Sequence, residues 1–393
     1  MSELLTELKS GASNFKIVGQ VRLSNEGLAS PKQNDAGTWL GVNTNFSIDT
    51  GNGNVVGVTI NGGRSLTKNE LYSPSKEKGK TLKIPIANRN DPKILEQIPD
   101  FRFFRANLVK GENGIKVIDT IDYLDYLKAN LKNDMDVVVT GNAEYSEYTT
   151  KEGDVVVSRR YIVKNIYLNE ITTDAETGEE KLRHPLGAVL RQTYLFDDTS
   201  LPKDYQKQLE TEGKVEVSAY VPVYMSKIKA PSGAMIDHGK NVPLLQKIVF
   251  KGDESRVPLV ERFFKVKRDK LSVRTFNMLI QEGFIDDTPQ EVELSDWMKE
   301  LIRDGVATEE DFKTQPQIRS TRAREVVYGS YSISRDEEGN IVEDGENIYD
   351  ISAFYNARPN FENEENKPLQ FEISSPEEIV KDSESDLDAF FNL

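Results

Sequence analysis

Cysteine is absent from the 393-residue chain, and histidine occurs only as His184 and His238. These absences exclude a disulfide framework, a thiolate metal site and a multi-histidine metal cage. No apolar run approaches the roughly 18–20 residues that a helix needs to span a bilayer. The opening stretch, MSELLTELKSGASNFK, has no basic segment followed by a long apolar one. No secretory leader is therefore expected, and a cytoplasmic location is. Catalytic signatures are missing too. There is no GxSxG, HExxH, DxDxDG or strand-linked GxGxxG. SKEKGKT (75–81) ends like a phosphate-binding loop, but Pro74 stands where the first glycine of that motif belongs. Paired acids are plentiful only on polar segments, where they serve solubility. The expectation is a protein without catalysis, cofactor or metal.

Positive charge is in deficit overall, with 50 Lys and Arg against 65 Asp and Glu and a net charge of −15. The deficit is not uniform. Residues 1–170 carry 22 basic and 21 acidic residues, and residues 227–274 carry 12 and 5. The acid is concentrated in residues 275–318 (3 basic, 11 acidic) and 360–393 (2 basic, 10 acidic). A phosphate-bearing partner responds to the local field, so the total does not exclude one.

What the sequence does have is alternation. FKIVGQVRL (15–23), TWLGVNTNFSI (38–48) and NVVGVTIN (54–61) alternate apolar and polar residues, as half-buried strands do, and TGNGN (50–54) supplies hairpin chemistry. FRFFRANLV (101–109) is a further strand. TIDYLDYLKANL (120–131) has helical spacing. MDVVVTGNAEYSEY (135–148) and VVVSRRYIVKNIYL (155–168) close the set as two strands. A helix between the third and fourth strands of a five-stranded set is the order of the OB-fold barrel. The fold class expected is mainly β with α, that is α+β, with an OB-like barrel over residues 1–170. KVEVSAYVPVYMSK (214–227) and PLLQKIVF (243–250) echo the 136–148 and 161–168 hairpin, and PKDYQKQL (202–209) echoes the preceding helix. Residues 171–358 are accordingly expected to form a second β-rich domain, with a diverged barrel as one form of it. A helical segment is expected over about 257–313, and strands over 324–334 and 347–355. Residues 359–393 are polar and acidic, and are expected to be a disordered tail.

A protein that holds single-stranded nucleic acid needs cations for phosphates and flat faces for bases. Both fall on the expected strands and loops: Trp39, Phe46, Arg64, Lys68, Lys80, Arg102, Phe103, Phe104, Arg105, Tyr145, Tyr148, Arg159, Arg160 and Tyr161. Strand alternation allows only about half of the aromatics to face a ligand. The densest basic stretch, FFKVKRDKLSVR (263–274), adds Lys265, Lys267 and Arg268 as an extended phosphate track. The chain ends ESDLDAFFNL, where Asp386 and Asp388 accompany Phe390, Phe391 and Leu393 in the form of a short linear hook for a partner.

The barrel with VVVTGNAEYSEYTTKEG and YIVKNIYL, followed by more β structure and an acidic tail with an apolar tip, resembles the bacteriophage single-stranded-DNA-binding proteins. The resemblance covers roughly residues 14–170 and 372–393. It implies a protein that coats and protects single-stranded DNA in replication, recombination and repair, and recruits replication and recombination proteins through its tail. A homo-oligomer is compatible with it. In the bacterial members the tip ends on Pro-Phe; here Asn392 and Leu393 follow Phe391, with no proline before it. That departure argues against the standard bacterial tip pocket. The alternatives are a virion or assembly protein without DNA binding, and an accessory OB domain of a replication or transcription machine.

Overall fold

The computed structural model describes residues 4–150, 155–173, 178–230, 233–283, 299, 302–303, 323–332, 334–335, 341–342 and 348–358. The fold is mostly β, built on one large mixed sheet. In chain order the first elements are β1 (Ser13–Arg22), β2 (Lys32–Gln33), β3 (Trp39–Asp49), β4 (Val55–Ser65), β5 (Glu70–Pro74), β6 (Thr81–Pro85), α1 (Pro92–Leu95), β7 (Phe104–Asn107), β8 (Ile115–Val117), α2 (Thr120–Asn130), β9 (Asp136–Thr149) and β10 (Val155–Leu168). The two-residue β2 only edges β3.

Five of these strands pair in a ring. β1 pairs with β3, β3 with β4, β4 with β10, β10 with β9, and β9 again with β1. All pairs are antiparallel except β4–β10, which is parallel through Thr59 and Ile162. Alternation explains which residues turn inward: Phe15 and Ile17 on β1, Val42, Phe46 and Ile48 on β3, Val58 and Ile60 on β4, and Val137 and Val139 on β9 are all buried. α2 adds Ile121, Tyr123, Leu124 and Leu127 to the same core. Its N-cap is Asp119, whose side chain accepts from the Ile121 amide at 3.0 Å. The helix approaches β4 at Gly62, where a Cβ would stand 2.2 Å from Thr120 Oγ1. Between β4 and β7, the β5–β6 hairpin and α1 form a lobe with its own small core of Ile84, Ile98 and Phe103.

The chain continues through β11 (Ile171–Thr173), β12 (Glu180–Leu182), β13 (Gly187–Phe196), α3 (Tyr205–Glu212), β14 (Lys214–Lys229), β15 (Met235–Lys251), α4 (Val257–Phe264), β16 (Ser272–Gly283), β17 (Ala323–Tyr331), β18 (Ser334–Arg335), β19 (Ile341–Val342) and α5 (Ser352–Tyr355). β11–β12 and β18–β19 are separate two-stranded pairs. A second ring runs β13–β14–β15–β17–β16 and back to β13. Its one parallel pair, β15–β17, joins its third and fifth strands, as in the first ring. Its core is aromatic: Phe196 stands edge-on to Phe264 at 5.4 Å, and Phe276 edge-on to Tyr328 at 5.3 Å.

The rings share a seam. Along one edge, β1 pairs with β13 over Ser13–Val18 and then with β3 over Gln20–Arg22; its other edge is taken by β9. Asn54, in the β3–β4 turn, donates to the Ile280 carbonyl and accepts from the Glu282 amide. The N-terminal arm and α5 close over the outside of the second ring, where Leu8, Leu195, Leu271, Tyr349 and Ala353 cluster.

Three expectations are corrected here. The helix begun at 257 ends at Phe264; a turn with Asp269 in the left-handed region (φ 58°) follows, and residues 272–283 are β16. β-Branched Val273 and Thr275 and the inward Phe276, Met278 and Ile280 fit the missing fourth strand of the ring better than another helical turn. The echo at 214–250 was placed one hairpin too late, because β14–β15 are the second and third strands of their ring. The helix matching α2 in position is therefore α4, between the third and fourth strands, and not the one near 202–209. Finally, the strand expected over 347–355 is not formed by its described residues, 348–355. Tyr349 makes an isolated bridge to Leu5, and Ser352–Tyr355 is a helical turn. The 284–313 part of the expected helical segment lies largely, and the tail wholly, outside the described residues.

Candidate nucleic-acid interface

A cleft of about 900 Å³ opens on the outer face of the first ring, over β1, β9, β10 and β7. Its rim holds Lys16, Lys76, Arg105, Lys164 and Arg183 against two carboxylates, Asp100 and Glu170. Asp100 is already engaged, with Arg105 at 3.0 Å and Lys116 at 2.9 Å. Its carboxyl is held below the usual range by the hydrogen bond from Lys116, with Arg105 adding to the effect. Lys16, Lys164 and Arg183 make no ion pair among the described residues.

Local sequence explains the placement. In FKIV, Lys16 lies outward between the buried Phe15 and Ile17. In YIVKNIYL the register slips between Val163 and Asn165, and this bulge presents Lys164 to the cleft. Burial holds Lys16 and Lys164 below the ordinary lysine value, and the neighbouring charge of Arg102 lowers Lys164 further. His184, on the same rim, is lowered by burial and by Lys16 and Arg183. Aromatic surface lines the walls through the half-buried Phe101 and Tyr167. Asn165, only 8% exposed, gives one end of its amide to Thr140 Oγ1 at 3.0 Å; its Oδ1 is shut from solvent without a partner, as is that of Asn107.

The residues expected from the sequence divide into three groups. Phe46, Phe103, Phe104, Tyr145 and Tyr161 are core, and the stacking role expected of them is corrected: none has a free face for a base. Cations occupy some of those faces from outside, with Lys116 at 4.2 Å over Phe103 and Lys164 at 4.3 Å over Phe104. Tyr145 donates to Gln192 Oε1 at 3.0 Å, and burial pushes its hydroxyl up to about 12. Arg159 lies against the Tyr161 ring at 5.5 Å with its Nε shut from solvent, so it too is corrected from a phosphate contact to a structural cation. Arg64 is committed to the buried Asp119.

The second group is exposed but apart from the cleft. Trp39 is 43% exposed, with its indole nitrogen beside the Gly41–Gly63 pair. Tyr148 is 53% exposed. Lys68 lies over the Tyr72 ring at 5.5 Å, Lys80 pairs with Glu77 at 2.6 Å, and Arg160 faces Glu144 at 3.8 Å. Lys265 pairs with Glu261 at 2.8 Å; Lys267 and Arg268 are exposed on the α4–β16 turn, and none of the three lines the cleft. The third group lies at or beside the cleft. Arg105 lines it, as does the buried Phe103, and Arg102, near Lys164 but outside the lining, donates to the Tyr72 carbonyl at 3.4 Å with its Nε unpartnered. Asp386, Asp388, Phe390, Phe391 and Leu393 lie outside the described residues.

The sequence reading missed Lys16, Lys164, Asn107, Asn165, Arg183 and His184. The available signal was a single cation in an otherwise apolar strand, outward by alternation.

Among the described residues no three His, Asp or Glu side chains gather as a metal would require, and no helix is long and apolar enough to cross a membrane. Residues 95–259 match the family described as YorF; the match begins in the lobe before β7 and ends in α4, so it crosses from the first ring into the second. No curated protein matches the chain. Among solved structures, a deletion variant of the single-stranded-DNA-binding protein from Thermus aquaticus aligns over 70% of this chain and 89% of its own, at 9% identity and a TM-score of 0.26. That superposition is too loose to bear on fold or function.

Proposed function

We propose that the chain is a non-catalytic single-stranded-DNA-binding protein built on two OB barrels, the first over residues 1–170 and the second within 171–358. The observation that carries this is the combination of strand order and charge. Both rings have the OB order, with third and fifth strands parallel and a helix between third and fourth, and the first bears a cleft in which two half-buried lysines, Lys16 and Lys164, make no ion pair among the described residues. OB barrels hold oligonucleotides through such surfaces. Unpaired, partly desolvated lysines are costly unless an anion joins them.

On this reading the protein coats and protects single strands in DNA replication, recombination and repair, in the cytoplasm of a bacteriophage host. The acidic segment 359–393, with Asp386, Asp388, Phe390, Phe391 and Leu393, would recruit partner proteins. Affinity comes from phosphate neutralisation and base contacts, so it falls steeply with added salt. Fluorescence anisotropy with labelled oligo-dT, single- against double-stranded across a salt series, tests it. Preferential, salt-dependent binding of the single strand is expected. Equal affinity for duplex, or no binding at low salt, would sink the proposal and favour an assembly protein.

A further inference from the structure

The outer face of β3 and β4 in the first ring is the face on which OB barrels conventionally hold a strand. Here it carries Trp39, Gly41, Asn43, Asn45, Gly57, Thr59 and Asn61, one exposed aromatic among small and polar residues, and no cation. Thr59 and Asn45 satisfy one another at 2.7 Å, and the end of β16 abuts the strand, with Glu282 accepting from the Gly57 amide. That face offers a phosphate chain little. The cleft on β1, β9 and β10 has what it lacks.

We infer that the cleft is a nucleotide subsite: it takes one or two nucleotides of a bound single strand, with phosphates on Lys16, Lys164 and Arg183. The base edge is read by Asn107 and Asn165, whose amides turn toward the cleft as the base enters. The inference rests on the single-strand reading above. Three separate observations support it. The cleft's volume of about 900 Å³ is that of a small-molecule site and not of a duplex track. Three cations on its rim have no carboxylate partner. Two amide oxygens, those of Asn107 and Asn165, lie shut from solvent with no donor. Oxygens in that state call for N–H groups, because a buried acceptor left unpaired costs free energy. Among the bases, the exocyclic amino groups of adenine, cytosine and guanine each bring two N–H donors. Thymine brings only its ring N–H. The subsite should therefore favour amino-bearing bases over thymine; stacking strength alone favours adenine, so the comparison of cytosine with thymine, two rings of equal size, is the one that isolates the amide oxygens.

The test uses the full chain with 5′-phosphorylated deoxydinucleotides of C, A and T, titrated by calorimetry and followed by NMR of the side-chain amides, beside anisotropy with a 20-mer oligo-dT. Cytosine and adenine dinucleotides are expected to bind roughly tenfold more tightly than thymine. The Asn165 amide resonances should shift on binding, and N107L and N165L should each weaken the preference. The amide shifts keep the test decisive if N165L does not fold. No base preference and unshifted Asn165 resonances, in a protein that still binds the 20-mer, overturn the subsite and leave the single-strand reading intact. A wild-type chain that binds no oligonucleotide overturns that reading itself.

Discussion

The two rings have the same strand order and are otherwise unlike. The first packs mostly aliphatic side chains, such as Ile17, Ile48, Val58, Ile60, Val139 and Val163. The second packs rings on rings, with Tyr194, Phe196, Phe250, Phe264 and Phe276 in one cluster. Outside, the difference runs in charge. The first ring leaves Lys16, Lys164 and Arg183 without carboxylates, whereas the second ties Lys227 to Asp237, Lys247 to Glu216 and Lys265 to Glu261. A shared topology thus fixes how strands close on one another, while core composition and surface chemistry vary independently. In this chain it is the aliphatic ring whose unpaired cations gather around a cleft.

The contrast can be tested first in the cores. Phe276→Ala in the second ring should lower stability by about 3–5 kcal/mol, and Ile60→Val in the first by about 0.5–1.5 kcal/mol. Urea denaturation of each variant measures both, and comparable losses would erase the distinction between the cores. The surfaces come next. K16Q/K164Q/R183Q should weaken oligo-dT binding at least tenfold near 0.1 M salt, and flatten the log–log salt slope by about two, at about 0.7 per lost contact. The matched second-ring set K227Q/K247Q/K265Q should leave both within about threefold, since those cations already have partners. Anisotropy across a salt series reads the two sets side by side, and equal effects would remove the asymmetry of charge.

A smaller effect concerns pH. His184 is held below its ordinary value of 6.5 by burial, Lys16 and Arg183, so the folded protein binds fewer protons there than the unfolded chain. Without ligand this costs stability as pH falls through that value. A phosphate in the cleft offsets the two cations and raises His184, so binding takes up a proton and tightens by a few-fold between pH 7 and 5.5. H184Q should flatten that trend, and an unchanged profile in the variant would assign it to another group. Smallest of all, Lys80→Gln should leave melting temperature and binding unchanged, because its pair with Glu77 is solvent-exposed.

Much of the first ring was legible, because its strands alternate cleanly and α2 keeps helical spacing between Asp119 and Leu131. β13 was missed although Ala188, Leu190, Tyr194 and Phe196 keep period two; its GAVLRQTYLF run lies beyond the expected domain boundary, where no strand was sought. The expected helix extends over β16 because the apolar spacing of α4 continues past the Asp269 turn. Ring closure depends on contacts such as Ile162 with Thr59, about a hundred residues apart, which no local window contains. The cleft was illegible for a related reason. Aromatics such as Phe104 and Tyr161 look like base platforms until the ring closes and takes them inside, and Phe103 until the neighbouring lobe buries it. Lys16 and Lys164 look incidental until it places them on one face.

The seam on β1 also bears on how this protein is made. Ser13–Val18 leaves the ribosome some 170 residues ahead of one of its two neighbours, Gly187–Gln192. Until then the first ring has a sticky edge, a row of unpaired amides and carbonyls on a nascent chain. A chain ending at residue 170, where the sequence alone would place the border of a self-sufficient unit, would keep that edge for good. It should self-associate through it, and the second ring therefore acts as the first one's built-in cap during synthesis.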